Sequence, residues 1–404
     1  MKYRLELGEQ LDLTHEVPVI YDLKDRMRHF YICGASGTGK SVFMERMAEY
    51  DLNFGLSVIY IDPKGESVKK LYQLAKNKEK IKYVSKDNPL IINPLSKKDY
   101  SVDNMIDEFV RVLDVLIILT SINPESSVRM KSLINMAVKS FSKEQINFKY
   151  LCDFLNFEEV RKYHKYPNAE IQKEWREFDV KQGQYYVNRE HHITAKSIVD
   201  RLKQLINHED VRPFITGDNE LNIPDMLRNG ESLLVDTSGM SSNNKIFISN
   251  LIFHSVTSYI FYDRLKIPLL VYIDEFQRCA SDLIRDILEF GRGEQVGFVL
   301  AHHDFSEFKN KDLIKSVTSI SNNYAIFRCG EDEDKYFFNT FKLKQGELKQ
   351  LDDYEAWIRL KTDNIKIETY PPKLKDPPDI NFKKELETKY NFLRNAFIPL
   401  NSVL

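Results

Sequence analysis

The sequence has few cysteines, and their arrangement excludes two classes of protein. Its four cysteines are scattered along the chain: Cys33, Cys152, Cys279 and Cys329. None forms a C-x-x-C pair, so neither a disulfide framework nor a cysteine-based zinc site is expected. The adjacent His191-His192 also has no acid or cysteine cluster at metal-ligand spacing near it. A reducing compartment fits this usage, and we expect a cytoplasmic protein.

Long apolar runs are missing as well. The longest run, Val112 to Ile122, is too short to span a bilayer and contains Asp114. The first residues, MKYRLELGEQLDL, mix charged side chains with leucine and lack the apolar core of a secretory signal. We therefore expect no transmembrane segment.

Neither sign of charge is in excess. The formal net charge of -2 argues against nucleic-acid binding by the charge of the whole molecule, although it is compatible with a local basic channel. With 42% apolar and 29% charged residues, the composition is that of a folded globular protein rather than a disordered one. The 404 residues suffice for two or three domains, or for one large α/β domain with an insertion.

A glycine-rich loop is the clearest positive feature. The run GASGTGKS follows the apolar stretch His29 to Cys33, and apolar residues recur at helical spacing after it. Glycines let backbone N–H groups approach an anion, and the helix that follows directs its positive end at the same place. A structural glycine-rich turn is the alternative. The residues predicted to bind a nucleotide are Gly34, Ala35, Ser36, Gly37, Thr38, Gly39, Lys40 and Ser41.

Two of these residues have specific predicted roles, and a later pair of acids complements them. Lys40 is expected to reach the β- and γ-phosphates of ATP, and Ser41 to bind Mg2+. The apolar strand Leu269 to Ile273 ends on Asp274 and Glu275. Asp274 is predicted to hold Mg2+ as the Walker B acid, and Glu275 to polarise the attacking water. The alternative is a helix N-terminus, where the macrodipole alone favours acids.

The order of patterns predicts the fold. Strand-like runs alternate with helical stretches near both ends of the chain, which is typical of a parallel sheet covered on both faces. The middle is helical in pattern, with Tyr163 to Arg189 expected as a solvated helix or loop. We predict an α/β, RecA-like P-loop NTPase with a mainly parallel sheet and an inserted all-α domain. The predicted parts are residues 1–93 and 224–372 for the motor, 94–223 for the insertion and 373–404 for a C-terminal tail.

Two further segments complete a set of four motifs. They are Asp62-Pro63-Lys64-Gly65-Glu66, after the second predicted strand, and Leu300-Ala301-His302-His303. In their order with the glycine loop and the Asp274-Glu275 strand, they resemble the HerA–FtsK superfamily of hexameric DNA-pumping ATPases. The nearest likeness is to HerA-like ATPases and to those of type IV secretion and conjugation. In these proteins an all-helical domain interrupts the motor before the Walker B strand.

The resemblance implies roles for four more residues. Asp62 would lie near the nucleotide, although a strand-terminating turn is the alternative. His303 stands where the family usually has a polar sensor, commonly glutamine; a structural histidine is an equal alternative. Arg292 resembles the arginine that completes the site of the adjacent subunit, and Arg328 is the second candidate.

The implied function is that of an ATP-hydrolysing ring motor. A homohexamer would move double-stranded or single-stranded DNA without reading its sequence, using ATP and Mg2+. Only about 28 residues precede the P-loop strand, so we expect either a stripped-down motor or one that relies on a membrane-anchored, nuclease or secretion-channel partner. Other readings are a secretion or pilus-assembly ATPase with a protein load, a viral genome-packaging ATPase, and a nucleotide-switch scaffold in a defence or mobile-element complex.

Overall fold

The computed structural model describes residues 2–11, 17–92, 124–141, 148–215, 221–262, 267–278, 288–289, 291, 293–308, 311–382 and 384–385. The strands are β1 Leu5–Gln10, β2 Pro18–Tyr21, β3 Phe30–Cys33, β4 Ser57–Asp62, β5 Ile81–Val84, β6 Lys181–Gln182, β7 Tyr185–Tyr186, β8 Ser232–Asp236, β9 Leu269–Ile273, β10 Val296–His302, β11 Asn323–Phe327, β12 Glu355–Leu360 and β13 Asp363–Thr369. The helices are α1 Leu23–Arg26, α2 Lys40–Phe54, α3 Glu66–Leu74, α4 Pro124–Lys139, α5 Phe148–Asn156, α6 Glu158–Tyr163, α7 Ala169–Phe178, α8 Arg189–Ile206, α9 Arg212–Ile215, α10 Ile223–Arg228, α11 Ser242–Tyr262, α12 Lys311–Ile320 and α13 Glu331–Phe341.

Most of the strands join one large sheet. Its order is β2-β1-β13-β12-β11-β3-β10-β9-β4-β8-β5. Every neighbouring pair from β11 to β5 is parallel. The pairs from β11 to β2 are antiparallel. The prediction of a mainly parallel sheet flanked by helices is therefore confirmed, with an antiparallel extension on one side.

Alternation along the buried strands builds a core on each face of the sheet. In β4, Val58 and Tyr60 pack with α2 and α3, whereas Ile59 and Ile61 face the cluster that contains Leu251 of α11. Successive side chains of a strand point to opposite faces, so a continuous apolar run serves both layers. Among the described residues, no helix is both long and apolar enough to cross a membrane.

The predicted helical insertion differs in detail from expectation. Its described part contains α4 to α9, but Lys181–Gln182 and Tyr185–Tyr186 pair as a small antiparallel hairpin. An all-α description of this segment is therefore incomplete, and the Tyr163 to Arg189 region is a helix followed by a hairpin. The apolar run from 112 to 122 lies outside the described residues.

The two ends of the described chain both pack on the large sheet. Gly8 of β1 pairs with Thr369 of β13, and a Cβ on Gly8 would lie 2.3 Å from the Glu368 carbonyl oxygen. After β13, the Phe382 ring stacks on Tyr83 with centroids 3.9 Å apart. The described part of the predicted tail therefore packs on the surface of its own chain.

The buried side chains of Arg26, Asp51, Tyr3, Tyr21 and Tyr272 lie together, and we call this group the closed cluster. The Arg26 guanidinium donates to the Asp51 carboxylate and to the Tyr272 hydroxyl, and Tyr3 donates to Asp51 over 2.5 Å. Both side chains of the ion pair are 0% exposed. The guanidinium lies 5.4 Å and 5.5 Å from the ring centroids of Tyr21 and Tyr272. Burial raises the pKa of Asp51, although the Arg26 charge opposes this shift.

Candidate nucleotide-binding site

The parallel strands bring four predicted segments to one edge of the sheet. β4, β9, β10 and β3 are successive neighbours, with Cys33 opposite His302 and Ile61 opposite Ile273. The carboxyl ends of parallel strands meet at the same edge, where open α/β sheets bind ligands. Asp62 ends β4, and the glycine loop, the Asp274-Glu275 pair and His303 directly follow the other three strands. The fold therefore places these segments next to one another.

The glycine loop has a backbone that side chains would strain. Gly37 has φ 80° and Gly39 has φ 108°, both in the left-handed region that glycine adopts without a Cβ penalty. Helix α2 begins at Lys40, immediately after Gly39. A Cβ on Gly37 would meet nothing within 4 Å, whereas one on Gly39 would lie 3.0 Å from Cδ1 of Tyr354. The positive end of helix α2, which has 15 residues, therefore lies at the glycine loop, and the glycines place no side chain in front of it.

Ser41 and Asp274 form a pair of oxygen donors. The Ser41 hydroxyl donates to Oδ2 of Asp274 over 2.8 Å, and Oδ1 accepts the backbone N–H of Glu275 over 2.9 Å. Magnesium prefers oxygen ligands and commonly uses one or two protein groups together with substrate phosphates. Within the described ranges, no group of three or more His, Cys, Asp or Glu side chains could enclose a metal ion. The Ser41 and Asp274 oxygens thus fit a magnesium ion shared with a nucleotide.

Lys40 is a buried ammonium whose hydrogen-bond partners are a backbone carbonyl and a histidine ring. Its Nζ donates to the Ala35 carbonyl over 2.7 Å and to Nδ1 of His303 over 2.9 Å. The Thr38 hydroxyl donates to the same carbonyl over 2.8 Å. Burial lowers the pKa of Lys40 to about 8, although the Asp274 charge opposes the shift. A phosphate at the glycine loop would supply an anion beside this cation, so the residues fit a bound triphosphate.

Glu275 is held by three groups from different segments. It has φ 47°, and its side chain is 1% exposed. Oε1 lies 2.9 Å from Nε2 of His303 and 2.5 Å from Nζ of Lys64, while Oε2 lies 2.6 Å from Nε of Arg278. Burial acts to raise the pKa of Glu275, but His303 and Lys64 lower it to about 2. The carboxylate is therefore ionised and able to orient a water molecule.

His303 connects Lys40 to Glu275. A carboxylate only accepts hydrogen bonds, so Nε2 of His303 donates to Glu275 and Nδ1 accepts from Lys40. The preceding residue, His302, points into the core and contacts the Tyr31 hydroxyl. Burial lowers the pKa of His302 to about 3. The two adjacent histidines thus have different surroundings, and only His303 belongs to the charged cluster.

Asp62 directs its carboxylate at its own turn. Oδ1 accepts the Lys64 N–H over 2.8 Å, and Oδ2 accepts the Ser67 N–H over 2.8 Å. Burial and the nearby Asp274 charge raise the pKa of Asp62 to about 7, although these backbone donors oppose the shift. These contacts fix the turn that carries Lys64, and direct contact between Asp62 and a nucleotide stays a prediction.

Of the two candidate arginines, the structure describes Arg328 and not Arg292. Arg328 donates to Asp353 over 2.6 Å, and its backbone carbonyl accepts the Ala35 N–H over 2.7 Å, so it lies beside the glycine loop of its own chain. Its action on a neighbouring subunit stays a prediction.

Sequence patterns did not predict the role of the segment Leu351 to Tyr354, which contacts the glycine loop and Arg328. The Tyr354 N–H donates to the Thr38 carbonyl over 2.9 Å, and Nη1 of Arg328 donates to the Leu351 carbonyl over 3.3 Å. No local signal near Leu351 to Tyr354 identifies these contacts, because they depend on the return of the chain to the sheet at β12.

Comparison with known proteins shows the family of this chain. The model of the family described as the central domain of the helicase HerA matches residues 5–256, which is more than half of the chain. No curated protein sequence matches significantly.

Solved structures share the fold at low sequence identity. The plasmid coupling protein TrwB in complex with a non-hydrolysable ATP analogue has a TM-score of 0.67 and 14% identity, covering 89% of each chain. TrwB in complex with ADP and Mg2+ has a TM-score of 0.63 and 15% identity, covering 93% of this chain and 97% of that one. VirB4 of Thermoanaerobacter pseudethanolicus has a TM-score of 0.63 and 12% identity, covering 92% and 97%. The RecA-like fold is thereby confirmed.

Proposed function

We propose that this chain, which belongs to the family of the HerA helicase central domain and hence to the HerA–FtsK superfamily of P-loop ATPases, binds and hydrolyses ATP with Mg2+. The observation that carries the proposal is the convergence of Ser41, Asp274 and Glu275 beside the glycine loop. TrwB, which has the same fold, has been solved with an ATP analogue and with ADP and Mg2+. Those ligands support the proposed cofactors here.

Each residue has a defined task in this proposal. The backbone of Gly34 to Gly39 and the start of α2 would receive the phosphates, and Lys40 would bind the β- and γ-phosphate oxygens. Ser41 and Asp274 would hold Mg2+, which supplies charge neutralisation on the phosphates when bound. Glu275 would orient the attacking water, with His303 linking it to Lys40.

We extend the proposal to a ring motor that moves DNA. Family membership supports it, because the matching model is described as part of a helicase, and so does a shared fold with a conjugative coupling protein. An arginine of the neighbouring subunit, Arg292 or Arg328, would complete each site and stabilise charge on the transferred phosphoryl group. Basic loops facing a central channel would grip the DNA backbone without reading its sequence.

We also propose that the helical segment is a domain set into the motor. Residues 1–93 and 224–372 would form the motor, and residues 94–223 the inserted domain. Two observations support this division. Strands β1 to β5 precede the segment and β8 to β13 follow it, yet β5 and β8 are parallel neighbours in the sheet.

The carboxylate of Glu275 provides the test of hydrolysis. Glu275→Gln keeps the shape of the side chain but removes its charge. We expect turnover to fall by about 100-fold to 10,000-fold while ATP binding is kept. The control is Glu307→Gln, because Glu307 is exposed and contacts Gln277 nearby. Equal turnover in wild type and Glu275→Gln would remove the catalytic assignment.

Whether the proposed motor moves DNA needs a separate experiment. We expect double-stranded DNA to stimulate ATP turnover, and the stimulation to weaken as salt rises, because phosphate contacts release counterions. Sizing the protein with and without nucleotide tests the ring. A turnover that responds to neither DNA nor salt would favour a protein load or a nucleotide switch.

A further inference from the structure

Lys64 contacts the candidate site, although it is not one of the predicted site residues. Its Nζ lies 2.5 Å from Oε1 of Glu275, and its side chain is 46% exposed while that of Glu275 is 1% exposed. An exposed ion pair usually contributes little, but here one partner is fully buried at the point where water must be oriented. The contact is therefore placed to act on the reaction rather than on the surface.

The turn that presents Lys64 is fixed by contacts with three elements. Asp62 accepts the backbone N–H groups of Lys64 and Ser67. The buried ammonium of Lys245, in α11, donates to the Pro63 carbonyl over 2.8 Å. Gly65 has φ 80°, and a Cβ there would lie 2.3 Å from Oδ1 of Asp236. Lys64 thus extends from a backbone whose position is set, as positioning groups in active sites require.

Lys64 and Arg278 hold different oxygens of Glu275. Arg278 contacts Oε2 from the same short segment as Glu275, three residues further along. Lys64 contacts Oε1, the oxygen that also accepts from His303. Without Lys64, only the hydrogen bond from His303 would keep Oε1 in place, while the Arg278 guanidinium would still attract Oε2. The carboxylate would then be free to turn about its last side-chain bonds.

We propose that Lys64 is a positioning residue for ATP hydrolysis, which fixes Oε1 of Glu275 so that the carboxylate faces the attacking water. The inference rests on the proposed ATPase function and deepens it by one residue. Lys64 acts through Glu275, so its loss lowers the rate of the chemical step and leaves nucleotide binding intact. Small misplacements of a catalytic group cost up to about 100-fold in rate.

Lys64→Met keeps an unbranched side chain that is only one atom shorter and removes the charge. We expect kcat for ATP to fall by about 10-fold to 100-fold, with KM and the thermal midpoint unchanged. Lys64→Arg should restore most of the rate, because a guanidinium also reaches Oε1. The matched control is Lys69→Met. Lys69 is similarly exposed, at 36% against 46%, but lies 3.9 Å from Asp236 rather than near Glu275.

A second comparison tests whether Lys64 acts through Glu275. Adding Lys64→Met to Glu275→Gln should cause no further loss of rate, because residues that act as a unit are not additive. A further loss in the double variant would show an independent action and overturn the proposal.

The outcomes separate this inference from the function on which it rests. If wild type does not hydrolyse ATP, the proposed function fails. If wild type is active and Lys64→Met is equally active, the inference fails and the function stands. A rise in KM without a change in kcat would make Lys64 a nucleotide contact and overturn the positioning role. A fall in thermal midpoint shared with Lys69→Met would make the effect structural and overturn it as well.

Discussion

Helix α2 carries a buried charge at each end, and the surroundings of the two charges differ. Lys40 begins the helix inside the candidate site, and Asp51 lies in its last turns inside the closed cluster. Both are buried, and burial moves the pKa of both away from the ordinary value. A buried charge with a perturbed pKa therefore does not by itself separate a functional site from a structural one.

Two other properties separate the two ends. The Lys40 end lies at the carboxyl edge of the parallel strands, where open α/β sheets bind ligands. Two of its cations are also accessible, since Lys64 and Arg278 are each 46% exposed. The Arg26–Asp51 pair has no exposed side chain at all. The position at this edge and the access to solvent therefore identify the site whose charged groups a ligand can contact.

The largest effect is expected at the closed end. Asp51→Ala leaves the Arg26 guanidinium buried without its counterion, so we expect a loss of about 3–5 kcal/mol in the free energy of unfolding. Urea denaturation measures it. As a control, Arg26→Met combined with Asp51→Leu replaces the pair by apolar groups and should recover most of the loss. A loss below about 1 kcal/mol for Asp51→Ala would remove the distinction between the two ends.

An intermediate effect should distinguish the glycines at the two ends of α2. Gly39 and Gly55 have φ 108° and 97°, so alanine at either position should cost about 1–2 kcal/mol of stability. Only Gly39→Ala should also weaken ATP binding, because its Cβ would press on Tyr354 beneath the glycine loop. Titration of a fluorescent ATP analogue compares the two variants. Equal affinities would contradict the assignment of the loop.

The smallest effect is expected from Glu275→Gln on stability. Lys64 and Arg278 can turn to solvent when the carboxylate charge is lost, so the free energy of unfolding should change by only about 0–1 kcal/mol. Urea denaturation beside Asp51→Ala makes the comparison direct. A cost as large as that of Asp51→Ala would show that the site depends on its ion pairs as the closed cluster does.

Local patterns were sufficient for the central part of the site. Strand β3, the glycine loop and the start of α2 are consecutive in sequence, so apolar spacing and glycine chemistry predict them together. The same holds for β9 and the acids that follow it. Their mutual distance then follows from the parallel sheet, which the alternation of strands and helices also predicts.

Contacts between distant segments were not predictable from the same patterns. Nothing near Lys64 indicates Glu275 as its partner, and nothing near Tyr354 indicates Gly39, because each contact depends on the order of strands in the sheet. Strand β5 was missed because Lys82 interrupts its four residues, whereas β3 is an unbroken apolar run of the same length. The hairpin of Lys181 to Tyr186 was missed because its residues are polar or aromatic without a clear period.

The place of β3 in the sheet also sets the order in which the protein can form during synthesis. Both neighbours of β3, β10 and β11, come from the last third of the chain. Until the ribosome has made residue 302, the four buried residues of β3 have no strand on either side, and the second neighbour is complete only at residue 327. Such non-local pairing is slow and leaves apolar segments unprotected. ATP would therefore recognise the finished sheet and could not assist the early steps of folding.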